Sequence, residues 1–193
     1  MRSPVLVIVT GAPGTGKTTL AKQIADRFRL PLVYKDQIKE LLFDELGWQN
    51  GDIGWSKKLG LTSIKLVFQM AENLLRTETS CVIENNFHPE FGTQDFLVLK
   101  DKVAYHPFQI LVTCDPETLI QRVRERNLSG ERHPAHPDLK DKNLASQLKT
   151  NYIDKLEIGG EFYPIDTTDF SKVNYEHLFQ ELDLVLDDTH RIK

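Results

Sequence analysis

The chain has 193 residues, of which 40% are hydrophobic and 27% charged, and its formal net charge is −4. These values fit one globular domain with an adequate core, and the acidic balance argues against a nucleic-acid partner because such proteins usually carry a basic excess. The N-terminal apolar run is too short for a signal peptide, and no stretch approaches the roughly 20 apolar residues of a membrane span. We therefore expect a single domain over residues 1–193, a cytoplasmic location and no membrane partner. The sequence carries no signal for oligomeric state.

Short apolar runs alternate with helical patterns along the chain. The runs predict five strands, at residues 5–9, 32–34, 81–84, 108–114 and 161–165. Apolar residues at helical spacing predict helices at residues 20–28, 35–46, 61–75, 90–100, 117–127, 143–156 and 178–186. Residues 48–60 and 128–142 lack periodicity and are interpreted as loops. Because the strands are apolar throughout, they predict a parallel α/β sheet covered by helices on both faces.

The first strand runs directly into a glycine-rich loop that has the sequence pattern of a P-loop. Such a loop turns its backbone N–H groups into one concavity, and the N-terminus of the next helix adds positive charge to it. The lysine reaches the β- and γ-phosphates of a nucleoside triphosphate, and the hydroxyl that follows ligates Mg²⁺. The predicted phosphate-binding residues are Gly11, Ala12, Pro13, Gly14, Thr15, Gly16, Lys17, Thr18 and Thr19.

Asp36 follows the second strand and opens the next helix. In an open parallel sheet this position lies at the carboxyl end of the strands, where ligands bind. A carboxylate there is placed to accept the proton of an attacking hydroxyl, although it would also serve as a plain helix N-cap. Lys39, one turn further on, would contact an anionic group of the acceptor or lie in solvent.

Glu84 ends the third strand, where an acidic residue of a P-loop protein holds Mg²⁺ or its water. A glutamate favours contact through water, and the alternative is a solvated strand end. Asn86, two residues on, is a candidate for orienting the acceptor or is a turn residue. After the fifth strand, Asp166 and Thr167 would contact the nucleotide or form an Asx turn.

Arginines are concentrated after the fourth strand. Arg122 and Arg126 lie four residues apart on one helix face, and Arg132 follows in the irregular stretch. A movable lid over residues 122–142 would bring this positive charge to the leaving γ-phosphate; the alternative is a charged surface helix. His133 and His136 lack the further ligands of a closed zinc site and are assigned to the lid or the acceptor pocket.

With these features in place, the sequence resembles the P-loop kinases of the AAA_33-like group, which include chloramphenicol phosphotransferase, polynucleotide kinase, zeta-toxin and gluconate kinase types. The resemblance rests on the segments GAPGTGKTT, KDQIKE, IENNF, RVRERN, RHPAH and YPIDTT. It implies a P-loop NTPase, nucleoside/nucleotide-kinase-like, as a three-layer sandwich with sheet order 2-3-1-4-5 and an arginine-bearing lid. It also implies ATP and Mg²⁺ as cofactors and a hydroxyl group as acceptor.

The sequence departs from this pattern at three places. Lys39 stands where polynucleotide kinases usually have arginine, Glu84 stands where many relatives have aspartate, and no Asp-x-Asp follows the second strand. The leading hypothesis is an ATP-dependent phosphotransferase acting on a small-molecule hydroxyl, with Asp36, Lys17, Arg122 and Arg126 in catalytic roles. The alternatives are a 5′-hydroxyl polynucleotide or nucleoside kinase and a regulatory ATPase without an acceptor.

Overall fold

The computed structural model describes residues 3–47, 53–130, 132–136 and 153–190. The strands are β1 (Val5–Gly11), β2 (Leu32–Tyr34), β3 (Cys81–Glu84), β4 (His106–Thr113) and β5 (Glu161–Asp166). The helices are α1 (Lys17–Phe28), α2 (Lys35–Leu46), α3 (Ile53–Arg76), α4 (Pro89–Lys102), α5 (Pro116–Leu128) and α6 (Tyr175–His190), and a 3-10 turn covers Phe170–Lys172.

The five strands form one sheet in the order β2-β3-β1-β4-β5. Every neighbouring pair is parallel, which confirms the predicted sheet and its order. Parallel strands have their carboxyl ends at the same edge of the sheet, so the segments that follow β1, β2, β3 and β4 converge there. That edge carries the candidate site described below.

Helices cover both faces of the sheet, and alternate residues of β1 pack against each layer. Val5, Val7 and Val9 lie in a core with residues of α1 and α6, including Ile24, Leu178 and Leu182. Leu6 and Ile8 point to the opposite face and lie in a core with residues of α3 and α4, including Val67 and Phe96. The fold is therefore the predicted α/β three-layer sandwich. Within the described ranges, no helix is both long and apolar enough to cross a lipid bilayer.

The prediction of a loop over residues 48–60 is wrong for its second part, because α3 already begins at Ile53. Its first turns bury Leu59 in a small apolar cluster with Phe43 of α2 and Ala135, and Trp55 packs against the same cluster. Burial of this face offsets the low helix propensity of the two glycines in the segment, Gly54 and Gly60. Residues 48–52 lie outside the described residues.

The helix predicted over residues 143–156 is wrong at its C-terminal end. Residues 143–152 lie outside the described residues, but residues 153–156 have no helical structure. Instead, the Gln109 side chain of β4 accepts a hydrogen bond from the Leu156 amide (3.0 Å) and donates one to the Leu156 carbonyl (3.1 Å). These bonds take up the backbone groups that a helix would have used.

Candidate active site

The loop between β1 and α1 is held in its sharp turn by two glycines in the left-handed region, Gly14 (φ 91°) and Gly16 (φ 87°). A β-carbon at Gly16 would lie 2.9 Å from the ring of Phe170, so the loop needs glycine there for space as well as for conformation. The Thr15 hydroxyl donates to the Ala12 carbonyl at 2.9 Å and closes the turn.

Lys17 and Thr18 begin α1 and both contact Glu84 at the end of β3. The Thr18 hydroxyl donates to Glu84 Oε2 at 2.8 Å, and Lys17 Nζ lies 3.7 Å from Glu84 Oε1. Burial raises the pKa of Glu84, and the Lys17 charge and the Thr18 hydrogen bond oppose that rise. A hydroxyl and a carboxylate oxygen at this spacing are the hard donors that Mg²⁺ takes, so these residues fit the metal that the sequence implies.

Asp36 lies at the same edge of the sheet as the glycine-rich loop, because β2 pairs with β3 and β3 pairs with β1. Lys35 Nζ donates to Asp36 Oδ1 at 2.9 Å. Burial raises the pKa of Asp36, but the charges of Lys35 and His136 outweigh burial and lower the pKa to about 2. The side chain is therefore ionised at neutral pH and accepts hydrogen bonds.

One cleft brings most of the expected site residues together. Its lining includes the loop residues Pro13, Gly14, Gly16, Lys17, Thr18 and Thr19, the acceptor-side residues Asp36 and Asn86, and the arginines Arg122, Arg126 and Arg132. Lys35, His136 and Phe170 also line it. Among the described lining residues, cations outnumber the one carboxylate, Asp36, so the cleft favours a polyanionic ligand such as a triphosphate.

The arginines lie at different places in this cleft. The Arg122 guanidinium stacks on the Phe170 ring at 4.1 Å and donates to the carbonyls of Thr167 (2.8 Å) and Thr168 (3.0 Å). Arg122 is thereby fixed next to the β5 loop, whereas Arg126 follows one helical turn later. Of the lid predicted over residues 122–142, residues 131 and 137–142 lie outside the described residues.

Among the described residues, seven of the expected site residues are not part of this lining: Gly11, Ala12, Thr15, Lys39, Glu84, Asp166 and Thr167. Lys39 is 6% exposed and donates to the Ser56 hydroxyl at 3.0 Å. Burial, reinforced by the Lys35 charge, lowers the pKa of Lys39 to about 8. Its position between α2 and α3 favours a structural role, and a contact with the acceptor stays a prediction.

Asp166 and Thr167 are two more of the expected site residues outside the lining. The Thr167 hydroxyl lies 2.8 Å from the carbonyls of both Thr15 and Thr113, so it links the glycine-rich loop to β4. Asp166 accepts from the amide (2.8 Å) and the hydroxyl (2.6 Å) of Thr168, which is the Asx turn that the sequence left open. A contact of either side chain with nucleotide stays a prediction.

The sequence did not single out Lys35 or Phe170. Lys35 adjoins Asp36, and its side chain is directed to the cleft only because α2 starts immediately after β2. Phe170 lies in a short 3-10 turn after β5, and no periodicity or motif marks it. Only its packing against Gly16 and Arg122 reveals its place in the site.

Comparisons with known proteins show the family and the fold of this chain. The AAA_33 family model, which describes an AAA domain, matches residues 6–150. The structure superimposes on that of an inferred kinase from Chloroflexus aurantiacus with a TM-score of 0.88 and 33% identity, covering 95% of this chain and 98% of that one. The chain is also 26% identical to an inferred adenylate kinase of Archaeoglobus fulgidus, over 86% of this chain and 75% of that protein. It is 26% identical to the cytidylate kinase of Methanosarcina acetivorans, over 86% of this chain and 82% of that protein. The chain therefore belongs to the AAA_33 family and has the fold of the P-loop kinases.

Proposed function

We propose that this protein transfers the γ-phosphate of ATP to a hydroxyl group of a small-molecule acceptor in the cytoplasm. The observation that carries the proposal is that Lys17 of the P-loop and the ionised Asp36 line one cleft. A phosphoryl-transfer site needs cations around the donor and a hydrogen-bond acceptor facing the attacking group. Both parts lie at the carboxyl edge of the sheet, Lys17 after β1 and Asp36 after β2.

The donor side of the site consists of the P-loop amides, Lys17, Thr18 and Glu84. Thr18 would contact Mg²⁺ through its hydroxyl, and Glu84 would contact the metal directly or through water. Bound Mg²⁺ supplies positive charge to the β- and γ-phosphate oxygens. Arg126 and Arg132 face the same cleft and would balance charge on the group being transferred, while Arg122, stacked on Phe170, would lie nearer the nucleoside.

Replacing Lys17 with methionine is expected to weaken ATP binding about tenfold to a hundredfold, because the loop loses its one cation directed at the phosphates. Isothermal titration with a non-hydrolysable ATP analogue and Mg²⁺ measures the effect. Lys22→Met is the matched control, because Lys22 is exposed on the same helix and lies over the Tyr34 ring at 5.4 Å. Equal losses in the two variants would contradict the assignment of Lys17.

On the acceptor side, Asp36 favours a hydroxyl over a phosphate. An ionised carboxylate accepts a hydrogen bond from a hydroxyl but repels a phosphate monoester, which carries negative charge at neutral pH. In the proposed reaction the acceptor oxygen bonds to the γ-phosphorus, the bond from that phosphorus to the β–γ bridging oxygen breaks, and ADP leaves. The hydroxyl proton passes to Asp36 and then to solvent.

A second candidate is transfer to a nucleoside monophosphate. The names of the Archaeoglobus and Methanosarcina relatives favour it, and the cleft offers Lys35 and Arg132 as contacts for an acceptor phosphate. This candidate predicts that AMP or CMP is a better acceptor than the corresponding nucleoside. The proposed function predicts the reverse.

The deciding experiment measures ADP release from ATP and Mg²⁺ with a panel of acceptors. The panel contains sugars, sugar acids, adenosine, cytidine, AMP, CMP and an oligonucleotide with a free 5′-hydroxyl. Turnover with a small hydroxyl compound supports the proposal, and turnover with AMP or CMP supports the second candidate. Turnover only with the oligonucleotide indicates a polynucleotide kinase. ATP hydrolysis at a rate that no compound raises indicates a regulatory ATPase and contradicts both.

A further inference from the structure

Three carboxylates occur at intervals of four residues on α2, namely Asp36, Glu40 and Asp44, and they share one helix face. Residues 132–136 lie against that face. His133 Nε2 is 3.1 Å from Asp44 Oδ1, and His136 Nε2 is 2.9 Å from Glu40 Oε1. Two imidazole–carboxylate pairs therefore attach this segment to α2.

The segment is also attached through its backbone. Ala135 is fully buried in the cluster with Phe43 and Leu59, and its carbonyl accepts from the Ser56 hydroxyl at 3.4 Å. With contacts to both α2 and α3, residues 132–136 form a fixed wall of the cleft. Within this wall, the exposed fraction of the His136 side chain is 10%.

The partners of the two histidines fix which ring nitrogen carries the proton. A carboxylate only accepts hydrogen bonds, so Nε2 of each neutral ring is the protonated nitrogen and Nδ1 carries a lone pair. Nδ1 of His133 accepts from the Ala135 amide at 3.1 Å. Nδ1 of His136 instead faces the carboxylate of Asp36, 4.0 Å from Oδ1, in the cleft.

His136 Nδ1 and Asp36 Oδ1 are thus two hydrogen-bond acceptors 4.0 Å apart at the acceptor end of the cleft. One hydroxyl has a single hydrogen and cannot donate to both. Two hydroxyls on adjacent carbons each have a hydrogen, and their oxygens lie close enough together to reach both atoms at hydrogen-bond distances of about 2.8 Å.

We propose that His136 is a specificity residue that selects acceptors with two adjacent hydroxyl groups, such as sugars and their derivatives. This inference rests on the proposed function and names its substrate class. One hydroxyl donates to Asp36 and receives the phosphate, and its neighbour donates to Nδ1 of His136. Glu40 holds the imidazole in the tautomer that accepts.

The charges around His136 decide when Nδ1 is free to accept. Burial lowers the pKa of His136 below 6.5, and the carboxylates of Asp36 and Glu40 oppose that shift. The charged groups of α2 that act on His136 are Lys35, Asp36, Lys39 and Glu40. Lys17, Arg122, Arg126 and Arg132 line the same cleft. His136 is therefore neutral at pH 7 and available as an acceptor.

The first test uses the full chain without any acceptor. Long-range nitrogen–proton NMR of ¹⁵N-histidine-labelled protein, with His136→Phe to assign the signals, reports the protonated nitrogen of each ring. We expect His136 with a proton on Nε2 at pH 7 and a titration below the usual histidine range. A proton on Nδ1 of His136 at pH 7 would overturn the inference, because that nitrogen could not then accept.

The second test compares pairs of acceptors that differ by one hydroxyl: ribose and 2-deoxyribose, glucose and 2-deoxyglucose, adenosine and 2′-deoxyadenosine. In whichever pair the protein phosphorylates, we expect the acceptor with two adjacent hydroxyls to have at least tenfold higher kcat/KM than its deoxy counterpart in the native protein.

His136→Phe should remove this preference, mainly by raising KM for the acceptor with two hydroxyls. His136→Asn should restore part of the preference, because its amide oxygen accepts a hydrogen bond. His133→Phe is the matched control, because His133 makes the same kind of pair with α2 but does not line the cleft, and it should keep the preference.

The outcomes separate the inference from the proposed function. The inference is overturned, and the proposed function left intact, if phosphate is transferred without a preference for acceptors with two adjacent hydroxyls. The same holds if the His133 and His136 variants lose this preference equally. Transfer to none of these hydroxyl compounds contradicts the proposed function and the inference together.

The pH dependence adds a readout that a purely structural role would not change. Protonation turns Nδ1 from an acceptor into a donor, so KM for the diol should rise as the pH falls through the pKa of His136, below 6.5. Asp36 cannot cause this rise, because its pKa is about 2. His136→Phe should make KM independent of pH between about 4 and 7, and a rise that persists in that variant would contradict the assignment.

Discussion

Asp36→Asn is expected to lower kcat for phosphoryl transfer about a thousandfold, while the affinity for ATP stays nearly unchanged. The amide keeps the shape of the side chain but loses the negative charge that orients the hydroxyl and receives its proton, and such a group contributes about 10² to 10⁴ in rate. Asp36 lies on α2, whereas the P-loop lies between β1 and α1. The donor site is therefore left intact.

Single-turnover kinetics and titration with a non-hydrolysable ATP analogue measure the two quantities separately. Asp44→Asn is the control, because Asp44 lies two helical turns further along α2 and pairs with His133 outside the cleft. We expect it to change kcat less than threefold. If Asp36→Asn lowered ATP affinity as much as kcat, the carboxylate would belong to the donor site and its proposed role would be wrong.

Gly11→Ala is expected to lower the free energy of unfolding by about 3 to 5 kcal/mol, a loss at the upper end for single substitutions. Gly11 has φ 151°, and a β-carbon there would lie 2.2 Å from the carbonyl oxygen of Val112. The two nearest atoms belong to the backbone of β4, which pairs with Gly11 in register. Neither strand moves easily, because β1 is paired on both sides and fully buried.

Urea denaturation followed by far-UV circular dichroism measures this loss. Gly60→Ala is the control, because Gly60 lies within α3 and a β-carbon there would meet nothing within 4 Å. That substitution should stabilise the protein by about 0.5 to 1 kcal/mol through helix propensity. If Gly11→Ala lowered the free energy of unfolding by less than about 1 kcal/mol, the paired strands β1 and β4 would have to move apart easily to accommodate the β-carbon.

Both glycine expectations depend on contacts that the sequence does not reveal. The glycine-rich motif places Gly11 in the P-loop, and the structure adds that the residue is the last of β1 and lies against β4. Gly60 was placed in a loop because glycines lower helix propensity. It lies within a helix because Trp55 and Leu59 pack against α2 and Ala135.

The candidate donor half of the site could be located from the sequence because its parts are contiguous in the chain. The strand, the glycine-rich turn and the helix that form the anion site are consecutive, and each has a strong local signal. Asp36 and Glu84 could also be located, because parallel strands bring their carboxyl ends to one edge. Their distances and pKa shifts could not be predicted, because they depend on His136 and Lys17, which lie on other parts of the fold, and on the direction of the Lys35 side chain beside Asp36.

The sequence by itself determined that this is a P-loop protein with an α/β fold, and it located a candidate phosphate site between β1 and α1. These properties follow from local spacing and from strands that are apolar throughout. Only the tertiary structure decided that Lys39 is buried, that Phe170 holds Arg122, and that His136 is turned toward Asp36 by Glu40. The physical reason is that these contacts join residues far apart in the chain, and their geometry is set by packing between helices and not by the pattern of any one segment.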